Sequence, residues 1–284
     1  MLKILPIYEQ GTVHDHDRED LLLLPSLFQE PMIFGVLDGV SAPYVGEPVR
    51  YEGKTGGQVV CQIVSETIHR YGPGLPLTPL LAKANIFIRR FAKANGLDLL
   101  RSDLLPGATF ALARITTAAI EIIQGGDCLI VWQYTDERIG TTINQAYRHE
   151  LELRMRFAEL LAKHQGNRLE TWQEFIPVLS QLRRERVNQK WNGYALLNGQ
   201  PAVAKRWEHR FLDRKNVARI LLLTDGLYEP YFMPNDSHLV GRRIITLYES
   251  GGLVAVLANS RAAEELEKSS HIGQAEATGI AIEL

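Results

Sequence analysis

Hydrophobic and polar positions follow two different periods along this chain. Short apolar runs at residues 21–24 and 32–37 are separated by a polar, proline-containing stretch, which predicts two strands joined by a turn. Over residues 54–71 the apolar side chains recur every three or four positions, and this spacing predicts a helix. Residues 79–95 show the same spacing and predict a second helix, with a glycine directly after its end.

Strand-like patterns return after these two helices. Short connections separate three β-rich segments, so an antiparallel meander is predicted at residues 109–115, 118–124 and 128–134. Residues 146–187 are charged and helical in composition, and we interpret them as an insertion rather than a second domain, because strands resume at 220–224 and 279–284. The order of elements predicts an α+β sandwich in one domain spanning residues 1–284.

Composition narrows the possible classes of function. The chain has 284 residues, of which 45% are hydrophobic and 23% charged, as in ordinary globular proteins. A formal net charge of -2 argues against a general nucleic-acid or membrane-surface binder, and no apolar run approaches the roughly 20 residues of a membrane span. The two cysteines lie in apolar stretches, so we expect a reduced, cytoplasmic setting. The oligomeric state is left open.

Two apolar strands end in the same dipeptide, Asp-Gly. Residues 34–39 and 221–226 both finish in Asp-Gly, which places Asp38 and Asp225 at the ends of rigid elements, each followed by a glycine that permits a sharp turn. One such aspartate is usually a turn residue that caps a strand. A matched pair, together with acidic residues before another strand and between two more, favours a site for a hard cation with several oxygen ligands.

Other chemistries fit the sequence less well. Gly53-Lys54-Thr55 is not a phosphate-binding loop, because Pro48 stands where that motif needs its first glycine. No Gly-x-Ser-x-Gly sequence occurs, so a nucleophile elbow is excluded. His14 and His16 could bind zinc only with further ligands that the sequence does not supply, and a solvated loop is the simpler interpretation.

The order of the acidic motifs resembles that of the protein phosphatase 2C family of metal-dependent serine/threonine phosphatases. Each motif is short, but together they span nearly the whole chain. The matching residues are Glu19-Asp20, Val36-Leu37-Asp38-Gly39, Gly107-Ala108-Thr109, Gly126-Asp127-Cys128, Leu223-Thr224-Asp225-Gly226 and Glu276-Ala277-Thr278.

The resemblance implies a four-layer αββα sandwich and a site at one edge of the two sheets. It also implies hydrolysis of phosphoserine and phosphothreonine in phosphoprotein substrates by a metal-activated water, with two Mn²⁺ or Mg²⁺ ions and room for a third. The implied ligands are Asp38 bridging two ions, the Gly39 carbonyl, Asp225 at the first ion, Glu19 and Asp20 at the second and Asp127 at the third.

Three positions depart from the family pattern. Ala275 stands where the last metal aspartate is expected, so either this position has lost a ligand or the neighbouring Glu276 supplies it, and we favour Glu276. Asp15 replaces the arginine that grips substrate phosphate, with Arg18 as a substitute, and Val40 replaces a general-acid histidine. These departures keep an alternative open, in which the fold is a weakly active or inactive regulatory binding module.

Overall fold

The computed structural model describes residues 2–11, 17–25, 30–228, 237–266 and 275–284. The strands are β1 Lys3–Glu9, β2 Leu21–Leu23, β3 Met32–Val40, β4 Arg50–Tyr51, β5 Lys54–Thr55, β6 Gly107–Ile115, β7 Ala119–Gly125, β8 Leu129–Tyr134, β9 Ile139–Thr141, β10 Glu208–Asp213, β11 Val217–Leu223 and β12 Ala277–Glu283. The helices are α1 Gly56–Tyr71, α2 Leu77–Ala94, α3 Tyr147–Lys163, α4 Arg168–Arg186 and α5 Ser237–Leu266. His14, Asp15 and His16 lie outside the described residues.

Two five-stranded antiparallel sheets form the centre of the fold. One has the strand order β1-β12-β11-β8-β9 and the other β10-β7-β6-β3-β2, while β4 and β5 make a small ribbon. Helices α1 and α2 cover the outer face of the second sheet, and α5 covers the outer face of the first. The predicted α+β sandwich with four αββα layers is therefore confirmed. Within the described residues, no helix is long and apolar enough to cross a membrane.

Strand β3 shows why an uninterrupted apolar run is needed here. Successive side chains of a strand point to opposite faces. Phe34 and Val36 accordingly pack between the two sheets, whereas Ile33 and Leu37 pack against the covering helices. Both faces of this strand are buried, so neither tolerates polar residues until the strand reaches the edge of the sandwich at Asp38.

The predicted meander is wrong at its third strand. β6 pairs with β7, but β8 lies in the other sheet, where it pairs with β11 and β9. The chain crosses between the sheets at Gly126, whose positive φ of 80° allows the turn. A second difference concerns Asp38, which does not follow the end of its strand but lies within β3, opposite Thr109 of β6.

Helices α3 and α4 form a hairpin within the segment where the sequence predicts a helical insertion. Phe157 of α3 packs against Phe175 and Trp172 of α4 and holds the two helices together, with ring centroids 5.2 Å and 5.4 Å apart. Asn167 caps the start of α4 by accepting a hydrogen bond from the Glu170 backbone amide. The sequence did not predict strands β1, β9 and β10 or helix α5. Helix α5 is interrupted by glycines at 251 and 252 that have non-helical backbone angles.

Candidate active site

Three aspartates meet at the edge of the sandwich. Asp38 comes from β3 in one sheet, Asp225 follows β11 in the other, and Asp127 lies at the crossing between the sheets. One carboxylate oxygen of each lies within 4.8 Å of the others. The Thr109 hydroxyl donates a hydrogen bond of 2.6 Å to Asp127 and fixes its orientation. Three carboxylates on rigid elements at this spacing could hold a divalent cation.

The electrostatics of this cluster favour a bound cation. Burial raises the pKa of Asp38 well above its ordinary value, and the neighbouring charges of Asp20, Asp225, Asp127 and Glu19 raise it further. Carboxylates this close repel one another when all are ionised. A divalent cation would offset that repulsion, and Mn²⁺ or Mg²⁺ accepts the oxygen ligands that these side chains offer. The residues present therefore fit such an ion.

Glu19 is buried beside the aspartate cluster and is held by two hydroxyls. Ser41 and Thr55, the N-cap of α1, both donate to its carboxylate. Two glycines permit this close packing. A Cβ at Gly39 would lie 2.8 Å from the Glu19 carbonyl oxygen, and a Cβ at Gly57 would lie 2.7 Å from its carboxylate. Any side chain at either position would displace Glu19.

Asp20 and Glu276 belong to one hydrogen-bond network. The Thr224 hydroxyl donates to the Asp20 carboxylate at 2.9 Å and accepts from the Thr278 backbone amide at 2.9 Å. Glu276 Oε2 accepts from the backbone amides of Glu19 and Asp20, at 3.0 and 2.7 Å. Glu276 thus orients the Glu19-Asp20 turn, and it is not one of the three residues in the close aspartate cluster.

The helical hairpin contributes a carboxyl group that sequence reasoning missed. Glu150 of α3 forms a hydrogen bond with Asp127, and its pKa is raised well above the ordinary value by burial and by the charges of Asp127 and Asp225. The Asn144 amide donates to the same carboxyl group at 3.2 Å. No motif marks Glu150 in the sequence, because the contact depends on how the hairpin folds back over the sheets.

A cavity of about 580 Å³ opens above the aspartates. Glu19, Asp127 and Asp225 contribute acidic groups to its lining. The hairpin supplies an apolar wall made of Leu153, Leu169, Trp172, Ile176 and Leu179. A loop that follows β3 (residues 41–46) completes the lining. This combination of acidic and apolar surfaces suits a polar reacting group with an attached carbon chain.

The raised pKa of Asp38 predicts a pH-dependent stability. In the metal-free protein, the stability that the protonated Asp38 contributes is fully present below about pH 4, the ordinary value for the unfolded chain, and is lost as pH rises through the raised folded-state pKa. We therefore expect the Tm of the metal-free protein to fall over this pH window. Scanning calorimetry with a chelator, and then with Mn²⁺, measures both effects.

Addition of Mn²⁺ should raise the Tm at neutral pH, because the ion binds the ionised carboxylates of the folded chain. The gain should disappear in acid, where protons compete for the same oxygens. A Tm that Mn²⁺ leaves unchanged at neutral pH would contradict a cation site at this cluster.

Comparison with known proteins identifies the fold. No protein-family model matches the chain, and no curated protein matches its sequence. Solved structures do match over the whole length. The serine/threonine phosphatase Stp1 from Staphylococcus aureus is 15% identical with a TM-score of 0.56, and the match covers 100% of this chain and 95% of that one.

Two further structures give the same result. The catalytic domain of the serine/threonine protein phosphatase PstP, in complex with two manganese ions, is 14% identical with a TM-score of 0.56, covering 99% of this chain and 97% of that one. PppA of Pseudomonas aeruginosa, described as a key regulatory component of T6SS, is 15% identical with a TM-score of 0.55 and covers 99% and 97%. The chain has the fold of bacterial serine/threonine phosphatases of the protein phosphatase 2C type, as its acidic motifs predicted.

Proposed function

We propose that this protein is a metal-dependent serine/threonine phosphatase that hydrolyses phosphoserine and phosphothreonine in other proteins. The observation that carries the proposal is the convergence of Asp38, Asp127 and Asp225 at one edge of a phosphatase fold. Two Mn²⁺ or Mg²⁺ ions are the proposed cofactors, with a third as an option. The PstP structure, which contains two manganese ions, supports this choice of metal.

Each acidic residue has a proposed role at these ions. Asp38 belongs to the aspartate cluster and lies in a rigid strand, and it would bridge both ions, with the Gly39 carbonyl beside it. The remaining proposed metal residues are Asp225 at the first ion, Glu19 and Asp20 at the second, Asp127 at the third and Glu276. Of these, Glu276 would act through the backbone amides that it holds.

The protein's own residues would bind and orient the substrate around these ions. When bound, divalent cations lower the pKa of a water molecule and stabilise negative charge on phosphoryl oxygens. Thr109 keeps the Asp127 carboxylate fixed, and Ser41 and Thr55 do the same for Glu19. Carboxylates held in this way need little reorganisation during the reaction.

A cysteine-based phosphatase mechanism does not fit the chain. Cys61 and Cys128 are both buried, and burial raises the pKa of each thiol well above its ordinary value. The nucleophilic form of cysteine is the thiolate, which such an environment disfavours. A phosphoenzyme intermediate on either cysteine is therefore disfavoured. Direct attack by water on the phosphoryl group requires no such intermediate.

Hydrolysis of an aryl phosphate during titration with Mn²⁺ and then Mg²⁺ tests the proposal. We expect activity that requires the metal and that a chelator removes. In a second assay, we expect release of phosphate from phosphoserine and phosphothreonine peptides.

The alanine at position 275 supports a second candidate function, a regulatory phosphopeptide-binding module. Tight binding of phosphopeptides without phosphate release, at saturating Mn²⁺, would favour that module over the enzyme.

A further inference from the structure

Arg183 of α4 is buried in an unusual way. Its side chain lines the cavity above the aspartates, yet the residue is only 3% exposed. Nη1 donates to the Ser41 carbonyl oxygen at 2.8 Å. Nε and Nη2 have no hydrogen-bond partner among the described residues. A buried N–H group without an acceptor is costly, and more so on a charged group, so an added acceptor at this guanidinium would be stabilising.

No carboxylate of the described residues forms an ion pair with Arg183. The charges of Asp103 and Glu19 act on it, but each carboxylate has other partners. Asp103 is paired with Arg101 at 2.8 Å and with Arg184 at 2.9 Å. Glu19 accepts from the hydroxyls described above. Neither carboxylate therefore supplies an acceptor to the two unpartnered nitrogens of Arg183.

Two neighbours add polar groups to the same wall. His149 of α3 is buried, lines the cavity and has an unpartnered Nδ1. Tyr194 also lines the cavity, with its ring centroid 5.1 Å from that of His149. The pKa of His149 is lowered to about 4, first by burial and then by Arg183 and Arg186, so the ring is neutral at neutral pH. A neutral imidazole carries one N–H group, so His149 can donate one hydrogen bond to an anion that Arg183 also binds.

Arg18, the substitute suggested by the sequence, is differently placed. Its guanidinium lies over the Tyr8 ring, and Nε donates to the Asp20 carbonyl oxygen at 3.2 Å. It lines a different cavity, beside Lys54 and Gln58. Among the described residues that line the cavity above the aspartates, Arg183 is the sole arginine or lysine.

We propose that Arg183 binds the phosphoryl group of the substrate, with Nε and Nη2 donating to two of its oxygens. The inference rests on the proposed phosphatase function and assigns the phosphate-binding cation to the helical hairpin rather than to the N-terminal segment. A guanidinium presents two parallel N–H groups that match a phosphate, which a lysine cannot do. Its Nη1 bond to the segment three residues after Asp38 sets its position relative to the aspartates.

Substitution of Arg183 tests this assignment. Charged hydrogen bonds of this kind contribute enough that Arg183→Met should raise KM for an aryl phosphate, and the inhibition constant of inorganic phosphate, by about 10- to 100-fold. Arg183→Lys keeps the charge and a donor for Ser41 but lacks the paired N–H groups, so both constants should still rise. Mn²⁺ affinity, measured by calorimetry, should stay close to the wild-type value in both variants.

Arg184→Gln is the matched control. Arg184 is the next residue of α4, but it pairs with Asp103, and its loss should leave KM and phosphate inhibition unchanged. If Arg183→Met fails to fold by circular dichroism, Arg183→Lys decides. Wild-type KM and phosphate inhibition in Arg183→Lys, or a change in Mn²⁺ affinity alone, would overturn the assignment while the phosphatase proposal stands.

The two proposals can also fail separately. If the wild-type protein binds Mg²⁺ but hydrolyses no phosphate ester, the phosphatase proposal fails. Calorimetric titration of that Mg²⁺-loaded protein with inorganic phosphate then tests Arg183 without any turnover. Binding that is lost in Arg183→Lys and retained in Arg184→Gln would support the assignment, and equal binding by all three proteins would refute it.

Discussion

Asp38→Asn is expected to reduce Mn²⁺-dependent phosphate-ester hydrolysis by more than about 100-fold, since even residues that merely orient metal ligands commonly contribute 10- to 100-fold. Asp38 belongs to the aspartate cluster, and the charges of four other acidic residues act on it. An amide at this position retains the shape of the side chain but loses the negative charge that would hold two cations. The measurement is kcat/KM for an aryl phosphate across a Mn²⁺ titration.

The same substitution should lower activity but stabilise the metal-free protein. Burial and neighbouring charges raise the pKa of Asp38, so its ionised form destabilises the folded chain at neutral pH. Asp38→Asn should therefore raise the Tm measured with a chelator and abolish the further gain from Mn²⁺. Asp136→Asn, at an exposed carboxylate paired with Arg138, is the control and should change neither quantity. Wild-type turnover in a folded Asp38→Asn protein would remove the basis for the metal site.

The sequence predicted the parts of the fold that depend on local patterns. The apolar run before Asp38 has both faces buried, and this is why it stood out as a strand without polar alternation. The glycine after Asp38 was expected to permit a sharp turn, but it lies within β3, and its structural reason is that Glu19 packs where a side chain would be. A buried apolar run leaves a trace in a few consecutive residues, so it can be recognised from the amino-acid sequence alone, whereas packing against a residue as distant as Glu19 cannot.

Features that depend on long-range packing could not be predicted in this way. The three segments from 109 to 134 have equivalent strand patterns, and nothing local indicates that β8 joins the other sheet. Glu150 and Arg183 belong to a charged helical hairpin in which most similar side chains are exposed. Their contact with the site depends on the packing of the hairpin over the loop after β3, which has no local sequence signal.

Glu276 could have either of two roles: it could be a metal ligand, or it could position the Glu19-Asp20 segment through hydrogen bonds. In the structure, Oε2 accepts from the Glu19 and Asp20 backbone amides, while Oε1 accepts from the Gln10 side-chain amide at 3.2 Å and more weakly from the Glu19 backbone amide at 3.3 Å. A positioning residue needs only that acceptor oxygen, whereas a metal ligand also needs the negative charge. Glutamine retains the oxygen and removes the charge, so it separates the two roles.

We expect Glu276→Ala to weaken Mn²⁺ binding by about 10- to 100-fold, the effect usual for residues that orient metal ligands. Glu276→Gln should bind Mn²⁺ nearly as well as the wild-type protein, because its carbonyl oxygen can still accept from both amides. Calorimetric titration measures these affinities, with Glu283→Ala, at the far end of β12 and bonded to Tyr248, as the control. If the glutamine variant is as impaired as the alanine variant, Glu276 acts through its charge as a ligand. In that case Ala275→Asp should crowd the site, whereas a truly missing ligand at position 275 would make the same substitution tighten Mn²⁺ binding.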